Sequence, residues 1–264
     1  MDPADSSSGR APMVELEQVS KSFDGGSTFA IRSLNLKVLT GEFVAIVGGS
    51  GSGKTTALKT INRLLDADCG SIRVAGESIA AIPGHVLRRR IGYVFQGIGL
   101  FPHLTVAENI GITARLLGWD DAAIAQRTAE LLKLVDLPAS YTTRLPGSLS
   151  GGQRQRVGVA RALAARPKIM LMDEPFGALD PVTRDVLGTQ YRQLHEHMAV
   201  TTVMVTHDVL EAVLLADRIV MLRAGEIVAD GTPRELLHQH TDADVRALMD
   251  MPRRQAARVR DLME

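Results

Sequence analysis

Cysteine is nearly absent: Cys69 stands alone, which excludes an internal disulfide framework and a cysteine-based zinc cluster and fits a reducing compartment. Cys69 itself reads as a small, partly buried residue. Excess charge of one sign is lacking too, since 30 Lys+Arg balance 30 Asp+Glu for a formal net charge of +0. Such a balance gives no long-range attraction to nucleic acid or to an anionic membrane, so no nucleic-acid partner is expected. No window approaches the ~18–20 uninterrupted apolar residues that span a bilayer, because the runs at 43–47 and 219–222 are soon broken by charge or Gly. The expectation is a chain that is soluble or that joins a membrane through a partner. The opening stretch MDPADSSSGRAP is acidic and Ser-rich, without the basic start and apolar middle of a secretory signal, and residues 1–12 are expected to be a disordered leader. Internal repeats and long low-complexity segments are also missing.

What is present is enough apolar material for a sizeable core, 45% of 264 residues. The short apolar runs Phe43–Val47, Ile169–Met172, Thr201–Val205 and Ile219–Leu222 read as strands buried on both faces, and stretches of helical spacing lie between them. That alternation predicts an α/β fold with a mainly parallel sheet. Between 103 and 165 the rhythm changes: Ile124, Leu131, Leu132 and Val135 share one helical face and no strand-like run occurs, so a helical subdomain, about 97–165, is expected as an insertion. Asp208 with Glu211 has the pattern of a capping box. Thr232-Pro233-Arg234-Glu235 combines an N-cap, a Pro at the first helical position and a Glu that can reach back. Arg253, Arg254, Arg258 and Arg260 form a basic cluster that reads as a solvated face of a C-terminal helical tail, 241–264.

Gly48-Gly-Ser-Gly-Ser-Gly53-Lys54-Thr55 satisfies G-x-x-x-x-G-K-[ST] after a strand and before a helix. Glycines there let backbone N–H groups converge on phosphate oxygens at a helix N-terminus, Lys54 adds a charge for the β- and γ-phosphates, and the Thr55 hydroxyl is a Mg²⁺ ligand. The nucleotide-binding set is thus Gly48, Gly49, Ser50, Gly51, Ser52, Gly53, Lys54, Thr55 and Thr56. Asp173, at the end of the run Ile169–Met172, is the Mg²⁺-orienting carboxylate. In an extended chain Glu174 would point to the opposite side, which leaves it to polarise a water for in-line attack. A second set of backbone donors is expected where Leu149-Ser150-Gly151-Gly152-Gln153 runs into a helix. His207 follows Val203-Met-Val205-Thr206 and precedes a capped helix, so its imidazole is aimed at a γ-phosphate from outside the phosphate loop.

With these motifs in this order, the chain resembles the ATP-binding-cassette (ABC) transporter ATPases, whose signature is LSGGQ, over about 13–240. The resemblance implies a P-loop NTPase (RecA-like) core with an N-terminal antiparallel β part and the inserted helical subdomain. It also implies ATP and Mg²⁺ as cofactors and further site residues. Phe23 resembles the aromatic residue that stacks on adenine. Gln96 resembles the glutamine that reaches both the metal and the nucleophilic water. Asp180 matches the loop that crosses between subunits, while also being an ordinary N-cap ahead of Pro181, and His207 matches the switch histidine. Each ATP in the family lies between the phosphate loop of one subunit and the Ser150, Gly151, Gly152, Gln153 segment of another, so two chains are implied, a homodimer or a pair with a paralogue. Gly49 replaces the Pro common at its position, which the neighbouring Gly51 and Gly53 make tolerable.

Residues 87–110, from Leu-Arg-Arg-Arg-Ile-Gly-Tyr-Val-Phe-Gln to Ala-Glu-Asn-Ile, resemble bacterial importer ATPases of the quaternary-amine group, which serves glycine betaine, choline, carnitine and proline betaine. Thr60-Ile-Asn-Arg-Leu64 and Met172–Thr183 resemble the same group. Implied partners are transmembrane permease subunits, seated near Gln96 to Glu108, and through them a periplasmic or extracellular solute-binding protein. The implied location is peripheral, on the cytoplasmic face of the bacterial inner membrane. Many members carry C-terminal cystathionine-β-synthase-type modules, for which the residues after 240 are too few, so such sensing is not expected in this chain. The alternatives are an importer ATPase for another small solute, such as an amino acid, and a non-transport member acting as a mechanical switch.

Overall fold

A computed structural model describes residues 10–97, 99–238 and 242–263. The leader expected over 1–12 lies mostly outside the described residues, and the first strand already begins at Pro12. In chain order the elements are β1 (Pro12–Ser22), β2 (Phe29–Leu39), β3 (Phe43–Val47), α1 (Lys54–Ile61), β4 (Cys69–Val74), β5 (Glu77–Ser78), α2 (Gly84–Arg90) and β6 (Ile91–Val94). Then come α3 (Val106–Leu116), α4 (Asp121–Leu134), α5 (Gly151–Leu163), β7 (Ile169–Asp173), α6 (Pro181–Met198), β8 (Thr201–Val205) and α7 (Val209–Leu215). The chain closes through β9 (Arg218–Arg223), β10 (Glu226–Gly231), α8 (Pro233–His238), α9 (Ala243–Met249) and α10 (Met251–Met263).

Two sheets result. One has the order β10-β9-β3-β8-β7-β6 and is parallel except for the β10 edge, and the other is antiparallel with the order β2-β1-β4-β5. Every residue of β3, β7 and β8 is buried, as near-continuous apolar runs covered on both faces require. The period of two sorts these residues between two cores: Phe43, Ala45 and Val47 pack with the helices on one face, Val44 and Ile46 with α1 and the antiparallel sheet on the other. The parallel sheet is therefore the middle layer. On its helical side α3, α4 and α5 pack together, with Ile124, Leu131, Leu132 and Val135 buried as their spacing predicts. A Cβ at Gly111 would lie 2.5 Å from Ile124 Cγ2, so this glycine permits the close approach of α3 to α4.

Local signals succeed unevenly. Thr232 and Glu235 form the expected reciprocal bonds at the start of α8, with Thr232 N–H donating to Glu235 Oε2 at 2.8 Å and Glu235 N–H to Thr232 Oγ1 at 3.2 Å. The box expected from Asp208 and Glu211 does not close. Asp208 does cap α7, accepting from the N–H groups of Leu210 and Glu211, but its own N–H donates to Thr206 Oγ1 at 3.0 Å and Glu211 is drawn inside. Cys69 is exposed rather than partly buried, because it is the first residue of β4, at the end of the pairing with β1. Arg253, Arg254, Arg258 and Arg260 are exposed on α10. No helix among the described residues is long and apolar enough to cross a membrane.

Candidate functional site

The adjacent strands β3, β8 and β7 end side by side, and their carboxyl ends carry the polar groups; an open α/β sheet offers its crevice at this edge. After β3, Gly48 (φ +149°), Gly51 (φ +74°) and Gly53 (φ +98°) take backbone conformations that L side chains rarely adopt. Gly53 also passes so close to β2 that a Cβ would fall 2.2 Å from the Ala30 carbonyl oxygen. The loop then enters α1 with Gly53 at the N-cap and no side chain capping it, so the first N–H groups of α1 lack a side-chain acceptor. Gly49, Ser50 and Gly51 are exposed, Ser52 and Lys54 are buried, and Thr55 and Thr56 are half-buried in the first turn.

Lys54 Nζ donates to the loop's own carbonyls, Gly48 O at 2.9 Å and Gly49 O at 2.7 Å. Burial lowers its ammonium against the opposing pull of the Glu174 and Asp173 carboxylates. Thr55 Oγ1 donates to Asp173 Oδ1 at 2.9 Å, joining the start of α1 to the end of β7, and burial raises the Asp173 carboxyl. This pair offers hard oxygen donors of the type Mg²⁺ takes alongside substrate phosphates. Among the described residues no cluster of three or more His, Cys, Asp or Glu could hold a metal by itself.

Glu174 does not continue the strand, contrary to the extended geometry expected of it. Its φ is +48°, its N–H donates to Val205 O at 2.9 Å, and its carboxylate lies between two side chains. Gln96 Nε2 donates to Oε2 at 3.1 Å, and His207 Nδ1 stands 3.3 Å from Oε1. The bond to Val205 extends the pairing with β8 by one step, and the positive φ at Glu174 then ends the strand, with the carboxylate set against side chains from the loops after β6 and β8. Gln96 and His207 are both exposed.

The remaining candidates lie apart from this group. Phe23 is 66% exposed just beyond β1, with Lys21 Nζ 5.8 Å from its ring centroid. Ser150, Gly151, Gly152 and Gln153 open α5 on the helical side, where Ser150 and Gln153 close a capping box on each other. Gln153 also donates to the Tyr141 hydroxyl at 3.4 Å, so its amide already has partners within the chain. Asp180 caps α6, accepting from Thr183 N–H at 3.0 Å. Gln155 is a residue that sequence reading passes over. It is buried on α5 and donates to the Glu174 carbonyl. The available signal is its place with Gly158, Val159 and Ala162 on one helical stripe, where an amide must find partners.

A family model described as ABC transporter matches residues 31–177, more than half of the chain. The chain belongs to the ABC transporter family. Gly48 to Glu174, with Gln96 and the Ser150 segment, fall inside the matched span of the family model, and Phe23, Asp180 and His207 lie beyond it. The chain is similar to the choline transport ATP-binding protein OpuBA of Bacillus subtilis, 52% identical over 87% of this chain and 60% of that protein. It is also 49% identical to the glycine betaine uptake system ATP-binding protein YehX of Escherichia coli, over 89% of this chain and 75% of the relative. The chain thus spans about 60% of the length of OpuBA and about three quarters of YehX. Among solved structures, a dimeric post-hydrolysis state of the ATP-binding cassette MJ0796 bound to ADP and Pi superposes with a TM-score of 0.78 at 34% identity, over 83% of this chain and 98% of that one. The family's fold, a P-loop NTPase core with α/β layers, is the fold described above.

Proposed function

We propose that the chain binds ATP and hydrolyses it to ADP and phosphate as the energising subunit of an importer. The observation that carries the reading is the Gln96–Glu174–His207 group beside the Thr55–Asp173 pair, all at the mouth of the phosphate loop. ATP phosphates would take the loop N–H groups, and Lys54 would exchange the carbonyls of Gly48 and Gly49 for β- and γ-oxygens. A Mg²⁺ held by the Thr55 and Asp173 oxygens would offset phosphate charge. Glu174 takes a proton from the attacking water, Gln96 and His207 orient that carboxylate, and His207 meets the γ-phosphate. General-base assistance of this kind contributes roughly 10²–10⁴-fold. Phe23 would stack on the base.

A single chain supplies one phosphate loop and one Ser150 segment, and the dimeric cassette structure supports two chains closing over two nucleotides. The permease would dock at the junction of core and helical subdomain, where Phe95 and Phe101 are exposed and buried Asn109 pins the 101–105 turn through bonds to Phe101, Leu104 and Thr105. Association with the membrane is then peripheral, on its cytoplasmic face. The names of OpuBA and YehX support a quaternary-amine osmoprotectant, such as glycine betaine, choline or carnitine, as the solute. Affinity isolation of the tagged chain from gently solubilised native membranes tests the reading. Recovery of a multi-span permease with a solute-binding protein that binds betaine or choline is expected, and recovery only with ribosomes or DNA would contradict it.

A further inference from the structure

Gln155 is 2% exposed, on the second turn of the helix that begins at Ser150. Its carboxamide must satisfy both donor and acceptor in the interior. Nε2 donates to the Glu174 carbonyl at 3.0 Å, and Oε1 accepts from the Ala178 N–H at 3.0 Å. One side chain thus holds both ends of the turn that carries Glu174 and leads to Asp180. Packing reinforces the link: a Cβ at Gly152 would lie 3.1 Å from Leu179 Cδ2, so the second glycine of the Ser150 segment is seated on this same stretch. Glu174 is meanwhile held at a φ of +48°, a conformation that persists in a non-glycine residue when its surroundings over-determine it.

Within the two-chain arrangement proposed above, on which this inference rests, the Ser150 segment serves the nucleotide on the partner's phosphate loop, whereas Glu174 serves the nucleotide on its own. We infer that Gln155 is a positioning residue that couples the two nucleotide sites, by tying the helix that reads one nucleotide to the backbone of the carboxylate that acts on the other. Displacement of the start of α5 when it closes on a nucleotide is passed through one hydrogen bond to the Glu174 carbonyl and one from the Ala178 N–H, the two ends of the turn that carries the carboxylate. Each site thereby biases one shared element, which is the physical content of coupling.

The test uses Gln155→Met, which keeps length and apolar packing while removing both bonds, and Gln155→Glu, which keeps an acceptor for Ala178 but sets a carboxylate against the Glu174 carbonyl. For the purified full chain, ATP affinity by calorimetry is expected to stay within about twofold, since neither bond touches the phosphate loop. kcat should fall about 10- to 100-fold, the scale of a misplaced reacting group. The Hill coefficient of ATP hydrolysis should fall from above 1 to 1 in either variant that folds. Wild-type kcat and Hill coefficient in a folded variant would overturn the role, as would a loss confined to KM or a Hill coefficient of 1 in the unsubstituted chain. Absence of ATP turnover in the unsubstituted chain would instead overturn the functional reading, and this role with it.

Discussion

The two ends of the central strand β8 carry similar ingredients and use them in opposite ways. At its amino end, Thr202 Oγ1 meets the Tyr191 hydroxyl at 2.8 Å and His195 Nδ1 at 3.1 Å, and all three residues are buried. Asp217 accepts from the Phe43 N–H at 2.9 Å, pairs with Arg192 at 2.7 Å and lies 4.0 Å from His195 Nε2. At the carboxyl end a second histidine and carboxylate, His207 and Glu174, approach to 3.3 Å, but this imidazole is 65% exposed. One end is closed on itself and the other is open to a ligand. A histidine–carboxylate pair acquires chemistry from where the strand ends, not from the pair alone.

Substitutions should therefore separate the ends. His195→Ala leaves a cavity and deprives Thr202 of a partner, so a loss of about 3 kcal/mol in stability is expected by denaturant titration, with kcat of the folded fraction retained. Lys54→Ala should act the other way, weakening ATP binding by roughly 10- to 100-fold, the worth of a charged hydrogen-bonding partner, as calorimetry would show. Nucleotide affinity equal to the unsubstituted chain in Lys54→Ala, or catalysis lost in folded His195→Ala, would show that the two ends do not divide stability from nucleotide chemistry.

The two ends also respond to pH with opposite sign. Burial lowers the His195 imidazole below its ordinary 6.5, so its contribution to stability is present above pH 6.5 and is lost as pH falls through the lower folded value. At the open end, burial raises the Glu211 carboxyl from 4.5 to about 7, against a hydrogen bond from Thr206. Its contribution has the opposite sign, full below pH 4.5 and lost as pH rises through about 7. Melting curves should show His195→Gln removing an acid-side loss and Glu211→Gln removing a loss toward neutrality, each shifting Tm by about 2–4 °C per kcal/mol. Parallel pH profiles in the two variants would count against the assignment.

Much of this architecture is legible in the sequence where one local cause decides. Near-continuous apolar runs gave β3, β7 and β8 because burial on both faces leaves few polar positions, and the phosphate loop is readable because glycines at Gly48, Gly51 and Gly53 meet a backbone requirement. Asp173 and Glu174 can be picked out as neighbours at a strand end. Their geometry cannot, since the turned peptide groups on either side of Glu174 find their partners in Val205 and Gln155, distant in sequence. The missing box at Asp208 has a similar origin, as Thr206 offered the N–H a nearer acceptor. Gln155 is hidden because a polar residue on a buried stripe shows that a partner is needed without showing which.

The proposed activity rests on Glu174, which, in the setting formed by Gln96, His207 and the Thr55–Asp173 pair, would activate water against ATP between two chains. Glu174→Gln tests it most directly, by single-turnover hydrolysis alongside light scattering of the purified protein with ATP and Mg²⁺. Turnover at least ~100-fold slower is expected, with ATP affinity retained and an ATP-dependent dimer that persists. Hydrolysis at the unsubstituted rate, with the protein remaining monomeric in ATP, would contradict it.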